Sequence, residues 1–379
     1  MRRRKLLATV SAATLLAAGY SMNRANAADA DKPPVWLEFG WHFEDVAGLG
    51  DEFAPAFVPG LVAAGFESPV RFEHVMAYSY GGEGRISFQP DDTNWIFSAS
   101  VRYGRAHGLA AKHQQTMPSS PTQGISVTSG GAYLFGFHQK VAPLGARFEN
   151  ASASNQETHA IIDFQAGKDV GLGIGSQGSS QLNVGVRFAQ LRSHSGVNIS
   201  GDPDFGFNTY HQTFVCCSGK TVRRIYFKQH LHRDKAGADV ERSFGGIGPS
   251  VSWNASAALV GNPQDGELAL DWGAGAALLF GRQKAKVKHH MSSAYFHGFS
   301  LYNISNHNTQ FSTARSRRVT VPDLSGFAGI SFRYVDAKLS LGYRADFFFG
   351  ALDGGIDTRK STTRGFYGPF ASINVGLGD

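Results

Sequence analysis

Nine charged residues stand at alternate positions of strand-like segments, each opposite an apolar face. They are Glu38, Arg102, Asp163, Arg187, Asp271, Arg333, Lys338, Arg344 and Asp346. Inside a narrow barrel, such charges either line a water-filled path or pair with one another and plug the lumen. The spacing of Arg344 and Asp346 places them on one face, where they can join a network. The sequence alone leaves both outcomes open.

The histidines form a second set of candidate ligands. In His230-x-His232, a strand would place two imidazoles on one face, as in some metal sites. No carboxylate or cysteine stands at a matching spacing nearby, so solvated loop histidines are the preferred interpretation. The sequence therefore predicts neither a metal site nor a cofactor.

The two cysteines, Cys216 and Cys217, are adjacent. Neighbouring Cα atoms lie about 3.8 Å apart, less than the usual span of a disulfide, about 4.4–6.8 Å. A vicinal disulfide here would be strained, and it would hold a loop tip. This is the preferred interpretation, with a redox or metal role as the alternative.

The sequence contains no G-x-S-x-G, HExxH or P-loop motif. No Ser/His or Asp/His pair is singled out either. We therefore predict that the protein is not an enzyme.

Alternation with a period of two residues predicts that the protein is all-β. In 268–281, Leu268, Leu270, Trp272 and the following alternate residues are apolar, whereas the opposite face is small with one acid. Several segments keep this alternation for 11 to 14 positions. Strands of a soluble sandwich average about 5–6 residues, but a membrane strand needs about 9–11. The pattern favours a transmembrane antiparallel up-and-down β-barrel over a sandwich.

We predict about ten strands, with a range of eight to twelve, since 70–80 could add or extend one. The strands are placed near 35–43, 84–89, 94–104, 159–169, 181–192, 244–256, 267–281, 324–334, 337–349 and 366–378. Short turns alternate with long irregular segments at 44–83, 105–158, 193–243 and 282–323, and a shorter one follows at 350–365. This alternation is typical of short periplasmic turns and long extracellular loops.

The N-terminus resembles a secretory signal peptide. Arg2 to Lys5 form a positive region, 6–20 are mostly apolar, and Ala25-Asn26-Ala27 offers a cleavage site. We predict a cleaved signal peptide over 1–27 and one outer-membrane barrel domain over 28–379 in a Gram-negative cell. Removing five cations and no acids lowers the net charge from +6 to +1, which gives no support to nucleic-acid binding.

Basic residues cluster around the segment 282–323: Arg282, Lys284, Lys286, Lys288, Arg315, Arg317 and Arg318. They indicate contact with anionic lipopolysaccharide, or a positive pore mouth that attracts anions. A solvated loop is the alternative.

Several stretches resemble the Legionella-type major outer membrane protein family of pore-forming barrels. The most specific are LGYRAD at 341–346, FGALDGG at 349–355 and GFYGPF at 365–370. Further similar stretches are 95–104, 169–173, 183–189 and 243–254. The resemblance implies an outer-membrane barrel that conducts small solutes, with no catalytic residues. One departure is the end, Leu377-Gly378-Asp379, where many barrels carry an aromatic residue for the barrel-assembly machinery.

The expected function is a porin-like channel for passive diffusion of small hydrophilic solutes. The alternative is a closed barrel that acts as a surface-loop adhesin or structural protein. The expected partners are outer-membrane lipid, lipopolysaccharide and the barrel-assembly machinery, with a homo-oligomer as a further possibility by analogy and no nucleic acid.

Overall fold

The computed structural model is all-β over the part of the chain that it describes. That part comprises 35–48, 52–53, 70–71, 78–91, 93–113, 128–129, 132–133, 150–170, 179–201, 206–215, 221–262, 264–298, 302–355 and 359–377. Within these ranges, no helix is long and apolar enough to cross a membrane.

Ten long strands form the main sheet. They are β1 (Val35–Ala47), β2 (Tyr78–Phe88), β3 (Trp95–His113), β4 (Asn150–Asp169), β5 (Ser179–Gly201), β6 (Thr221–Asn262), β7 (Gly266–Gly298), β8 (Tyr302–Tyr334), β9 (Ala337–Asp353) and β10 (Ser361–Leu377). Each of the ten predicted strands matches one of these, which confirms the predicted number.

The sheet closes on itself. Each long strand pairs antiparallel with its neighbours in the chain, and β10 pairs with β1 from Val35↔Leu377 to Ala47↔Gly365. The closed sheet is therefore an up-and-down barrel, as predicted. A shorter strand, Gly206–Val215, pairs with the first part of β6, beyond the point where β5 ends.

Short connections lie at one end of the barrel, as the sequence predicts. Val335 and Asp336 alone join β8 to β9, and Val335 has a φ of 54°. The connection from β2 to β3 is held by a hydrogen bond from the Thr93 amide to the Pro90 carbonyl. We call this end of the barrel the short-turn end and the other the long-loop end.

The prediction of long irregular segments is wrong for much of 193–243 and 282–323. There β6 and β7 stay paired from Gln229↔Gly298 onwards, and β7 and β8 stay paired as far as His297↔Tyr302. Backbone hydrogen bonds between neighbouring strands extend them here, although their outward-facing residues are polar. The prediction from the sequence recognised a strand only where one face is apolar. The residues Val70–Arg71 pair with Glu52–Phe53, and Tyr78–Tyr80 begin β2.

The outer face of the barrel carries an apolar band. On β7 it runs from Leu268, which is 37% exposed, to Phe280, which is 52% exposed. At about 3.3 Å per residue and a tilt of about 40°, these 13 residues rise about 30 Å, the thickness of a bilayer's hydrocarbon core. Comparable outward residues on other strands include Phe39, Phe97, Val184, Ile330 and Leu341. The fold is therefore a transmembrane β-barrel.

The hydrophobic core lies inside the lumen, towards the long-loop end. Its side chains come from most of the strands, and they include Leu191, Phe244, Leu279, Val321, Phe348, Leu352 and Phe366. We call this set the inner apolar layer. The barrel is thus packed internally, like a small protein core, as well as being apolar outside.

A substitution on the lipid-facing band tests the orientation of the strands. Val184 is 52% exposed near the middle of the band on β5, so Val184→Arg should lower the free energy of unfolding in phospholipid vesicles by about 2–4 kcal/mol. Ser312 lies on the exposed extension of β8, beyond the band, so Ser312→Arg should change the free energy of unfolding very little. Equal effects of the two substitutions would contradict the assigned band.

Candidate functional site

The middle of the lumen is crossed by ion pairs between strands that are not neighbours. Arg344 on β9 pairs with Glu83 on β2 through two hydrogen bonds, of 2.5 and 3.1 Å. Arg102 on β3 lies 2.9 Å from Asp346 on β9, four strands away around the barrel. These contacts therefore bridge the lumen instead of running along its wall.

A second bridge is centred on Arg187 of β5. Its Nε and Nη2 donate to Asp163 on β4 at 2.7 and 3.1 Å, and its Nη1 donates to Asp323 on β8 at 2.5 Å. The Asp323 side chain is fully buried. We call the two bridges together the waist layer: Glu83, Arg102, Asp163, Arg187, Asp323, Arg344 and Asp346.

Two further pairs lie nearer the short-turn end. Lys338 lies 2.6 Å from Asp271, and Arg85 lies 3.4 Å from Glu38. Arg333, which is opposite Lys338 in the ladder, is exposed. Of the nine charged residues singled out in the sequence, eight therefore enter ion pairs in the interior, and Arg333 lies outside the network.

Sequence reasoning missed three partners in these pairs: Glu83, Arg85 and Asp323. Glu83 and Asp323 fall at the edges of segments that were predicted to be loops. Continuing the two-residue alternation of β2 and β8 past the apolar face would have placed both on the inner face.

The waist layer leaves little free space. A cavity of about 90 Å³ lies among its side chains and the small residues of the opposite wall, such as Gly273, Gly275 and Ser252. Among the described residues, the paired guanidinium and carboxylate groups therefore narrow the lumen at this level.

A β-bulge in β9 adds further buried side chains to the lumen. In β9 the pairing register shifts between Phe348 and Leu352, and Gly350 has a φ of +68°. As a result Ala351, Leu352 and Asp353 are buried in succession, which regular alternation does not allow. The bulge thereby fills the inner apolar layer from one side.

Above the inner apolar layer lies a polar layer, outside the membrane-spanning band. Arg242 donates to the Asp353 carbonyl at 2.9 Å and to Ser195 at 2.6 Å. Burial and the nearby Arg364 cation lower the pKa of Arg242 to about 10. Burial disfavours the charged form of Glu157 too and so raises its pKa, although the Arg364 cation, 3.4 Å away, opposes this shift.

The predicted basic cluster divides between the two faces of the sheet. Arg315 and Arg317 point inwards, to Asp353 at 3.0 Å and to Gln283 at 2.7 Å. The other five cations point outwards and are exposed. We call these five the rim patch: Arg282, Lys284, Lys286, Lys288 and Arg318.

Three histidine and glutamate side chains meet in the interior, and sequence reasoning missed them. His42 and Glu44 on β1 and His159 on β4 are buried and lie close together. The predicted strand ended at residue 43, so the same-face spacing His42-x-Glu44 went unused. His230 and His232 lie in β6, whereas Cys216 and Cys217 lie outside the described residues.

No protein-family model and no curated protein sequence matches the chain. Three similar solved structures are a mutant of the monoaromatic hydrocarbon channel TodX, the Bordetella autotransporter BrkA β domain and the Ralstonia pickettii toluene transporter TbuX. They have identities of 10%, 9% and 8% and TM-scores of 0.25, 0.23 and 0.21. The alignments cover 92%, 92% and 91% of this chain and 91%, 100% and 90% of the others. The assignment as a barrel therefore rests on the strand pairing itself.

Removing the central arginine tests the waist layer. Arg187→Met leaves Asp323 buried without a cation, so it should lower the free energy of unfolding by about 3–5 kcal/mol. Tryptophan fluorescence during urea unfolding from vesicles measures this loss.

The matched control is Arg85→Met, because the Arg85 side chain is 43% exposed and its pair should contribute about 1 kcal/mol or less. Adding Asp323→Asn to Arg187→Met should restore part of the loss. If both single variants lose the same small amount, the waist layer does not hold the barrel together.

Proposed function

We propose that this protein is an outer-membrane β-barrel of a Gram-negative cell whose lumen is closed at rest, and that it acts as a surface adhesin or structural protein. The observation that carries the proposal is the waist layer. Its guanidinium groups reach across the lumen to carboxylates on distant strands, so the charges occupy the space through which a solute would pass.

The inner apolar layer supports the same conclusion. A passive pore needs a continuous aqueous path, but Phe244, Phe348 and Leu352 are packed in the lumen with 1%, 0% and 0% of their surface exposed. Opening the barrel would require these side chains to leave a packed core as well as the ion pairs to separate. The energetic cost of both steps favours a barrel that stays closed.

The extended strands provide the surface through which such a protein would act. On β7, the last residue, Gly298, lies 18 positions beyond Phe280, which is at the edge of the apolar band. At about 3.3 Å per residue, this extension is about 60 Å along the strand. The paired extensions of β6, β7 and β8 form a sheet that projects past the membrane.

A porin-like channel for small hydrophilic solutes is the second candidate. The cavity at the waist favours it, because Glu83, Arg102, Arg187 and Arg344 line the cavity with charge. In this view the ion pairs are a gate, and separating them joins the cavity to the solvent at both ends.

Single-channel recording distinguishes the two functions. The refolded chain 28–379, shown to be folded by heat-modifiable gel mobility, should give no conductance steps in a planar bilayer. Arg344→Glu should be equally silent, because the inner apolar layer still closes the lumen. Steady ohmic steps whose ion selectivity changes in Arg344→Glu would overturn the closed barrel and establish the channel.

The rim patch has a proposed partner of its own: the phosphates of lipopolysaccharide. Arg282 and Arg318 lie directly opposite each other, immediately beyond Phe280. Like charges in this position repel each other, and neither arginine forms an ion pair with a carboxylate among the described residues. An anion between them removes the repulsion, and the lipid next to the apolar band places phosphates at this height.

The acids near the patch are distributed unevenly. On the same face of β6, Glu241 is opposite Lys286 and Asp239 is opposite Lys288. By contrast, Lys284 and Arg282 are opposite Ser243 and Gly245. The uncompensated positive charge is therefore concentrated at the end of the patch that adjoins the membrane, where a phosphate can approach it.

The double variant Arg282→Gln/Arg318→Gln should retain less lipopolysaccharide. A cation near an anionic membrane surface contributes about 1 kcal/mol, so the loss of two should lower the affinity roughly 25-fold. Native mass spectrometry of the purified barrel with added lipopolysaccharide measures the bound fraction. Lys235→Gln removes an exposed cation farther along β6 and should bind as the wild type does. Equal binding by all three proteins would exclude the rim patch.

We also propose, from the sequence, that the chain is cleaved after residue 27 and belongs to the Legionella-type family. We further propose that the barrel-assembly machinery recognises it and that it forms a homo-oligomer.

A further inference from the structure

The interior cluster of His42, Glu44 and His159 has the composition of a metal site. Glu44 Oε2 lies 3.6 Å from His42 Nε2 and 3.4 Å from His159 Nε2. One ligand atom from each of the three residues lies within 4.8 Å of the other two. In a tetrahedron with bonds of about 2.0–2.1 Å, the ligand atoms are about 3.4 Å apart. Two of the three separations already match this value.

The barrel wall is shaped to let the two imidazoles approach each other. His42, Gly81, Gly104 and His159 form one row across β1, β2, β3 and β4, since they are successive ladder partners. A Cβ at Gly81 would collide with the His42 ring, and one at Gly104 would collide with the His159 ring. The two glycines therefore create the space in which the rings meet, with centroids 5.8 Å apart.

The polar atoms of the cluster lack hydrogen bonds. Both ring nitrogens of His42, both carboxylate oxygens of Glu44 and Nε2 of His159 are buried without a hydrogen-bond partner among the described residues. The exposed fractions of the three side chains are all 1%. Leaving one such atom unsatisfied costs about 1–3 kcal/mol, so five of them in one place favour the binding of an ion that satisfies them.

We propose that His42, Glu44 and His159 bind a divalent transition-metal ion, with zinc as the best fit. Two imidazole nitrogens and one carboxylate oxygen are a known zinc ligand set, and the fourth position is then taken by water. Hard cations such as Mg²⁺ and Ca²⁺ prefer all-oxygen ligands, so they fit this cluster less well. The inference is independent of whether the lumen conducts.

The surroundings of the cluster suit such an ion. Glu44 is next to Ser79 in the ladder, and the buried Ser79 hydroxyl also lacks a hydrogen-bond partner among the described residues. A Cβ at Gly104 would contact both this hydroxyl and His159, so Ser79 lies where it can accept a hydrogen bond from a metal-bound water. Of the described charged groups, the Arg102 cation acts most strongly on the three residues. Its ion pair with Asp346, at 2.9 Å, offsets this positive charge.

A bound ion would join strands on one side of the barrel. The ligands come from β1 and β4, which are separated by β2 and β3. The ion would therefore fasten four strands together just above the waist layer. We assign it a structural role, because the cluster is closed off from the solvent.

The test is a metal titration of the barrel, produced without a histidine tag and refolded with a chelator. The refolded wild type, given Zn²⁺ and then dialysed, should retain one zinc per chain by mass spectrometry of the metal. With Co²⁺ in place of zinc, it should show the visible absorption of a four-coordinate site. His42→Gln, Glu44→Gln and His159→Gln should each weaken binding by at least about tenfold.

His107→Gln is the matched control, since His107 lies on the exposed face of β3 and its loss should leave zinc binding unchanged. Heat-modifiable gel mobility shows which variants have folded. If a ligand variant does not fold, the wild-type cobalt spectrum and the rise in its melting temperature with zinc still decide the question. A folded wild type that retains no zinc, or ligand variants that bind as the wild type does, would overturn the proposal.

Discussion

The whole structure depends on the closure of one sheet in a medium without water. In a bilayer, each backbone N–H and C=O group must be paired within the protein, so only a helix or a closed barrel can cross it. Here the pairing of β10 with β1 closes the sheet across the apolar band. Once the sheet is closed, every strand has one face in lipid and one in a narrow lumen, and this division determines the chemistry of both faces.

The narrow lumen explains why its charges are paired. An unpaired charge without access to water is too costly to keep, so each arginine of the waist layer lies against a carboxylate. The width of the lumen also matters, because Arg102 reaches Asp346 four strands away. In a wider barrel the same residues would lie too far apart to pair and would be solvated.

Glycines determine where large side chains fit inside the barrel, because they leave space on the inner face. Next to Gly81 and Gly104 there is room for two imidazoles, and the bulge at Gly350 turns a short apolar run into the lumen. The interior is therefore a sequence of layers: ion pairs at the waist, then an apolar core beside the histidine cluster, then buried arginines. The layers occupy much of the lumen, while the extended strands carry an outer surface beyond the apolar band.

Much of this fold can be predicted from the sequence, because alternation is a local property. The apolar residues at 268–280 and 339–349 by themselves indicate two-faced strands, and the lengths of these runs indicate a membrane. The count of ten strands and the inward direction of eight interior charges follow from the same pattern. The pattern failed where the outer face became polar, as at 282–298, since a strand held by ladder hydrogen bonds needs no apolar face.

What only the tertiary structure decided is which residues meet. Arg187 and Asp323 are 136 positions apart, and His42 and His159 belong to strands that are separated by two others. Their contacts depend on the register of every intervening ladder and on the width of the closed barrel, and no local pattern records either. The sequence by itself therefore determined a two-faced membrane barrel with charges inside. Only the closed sheet decided that those charges fill the lumen and that two histidines and a glutamate share one buried place.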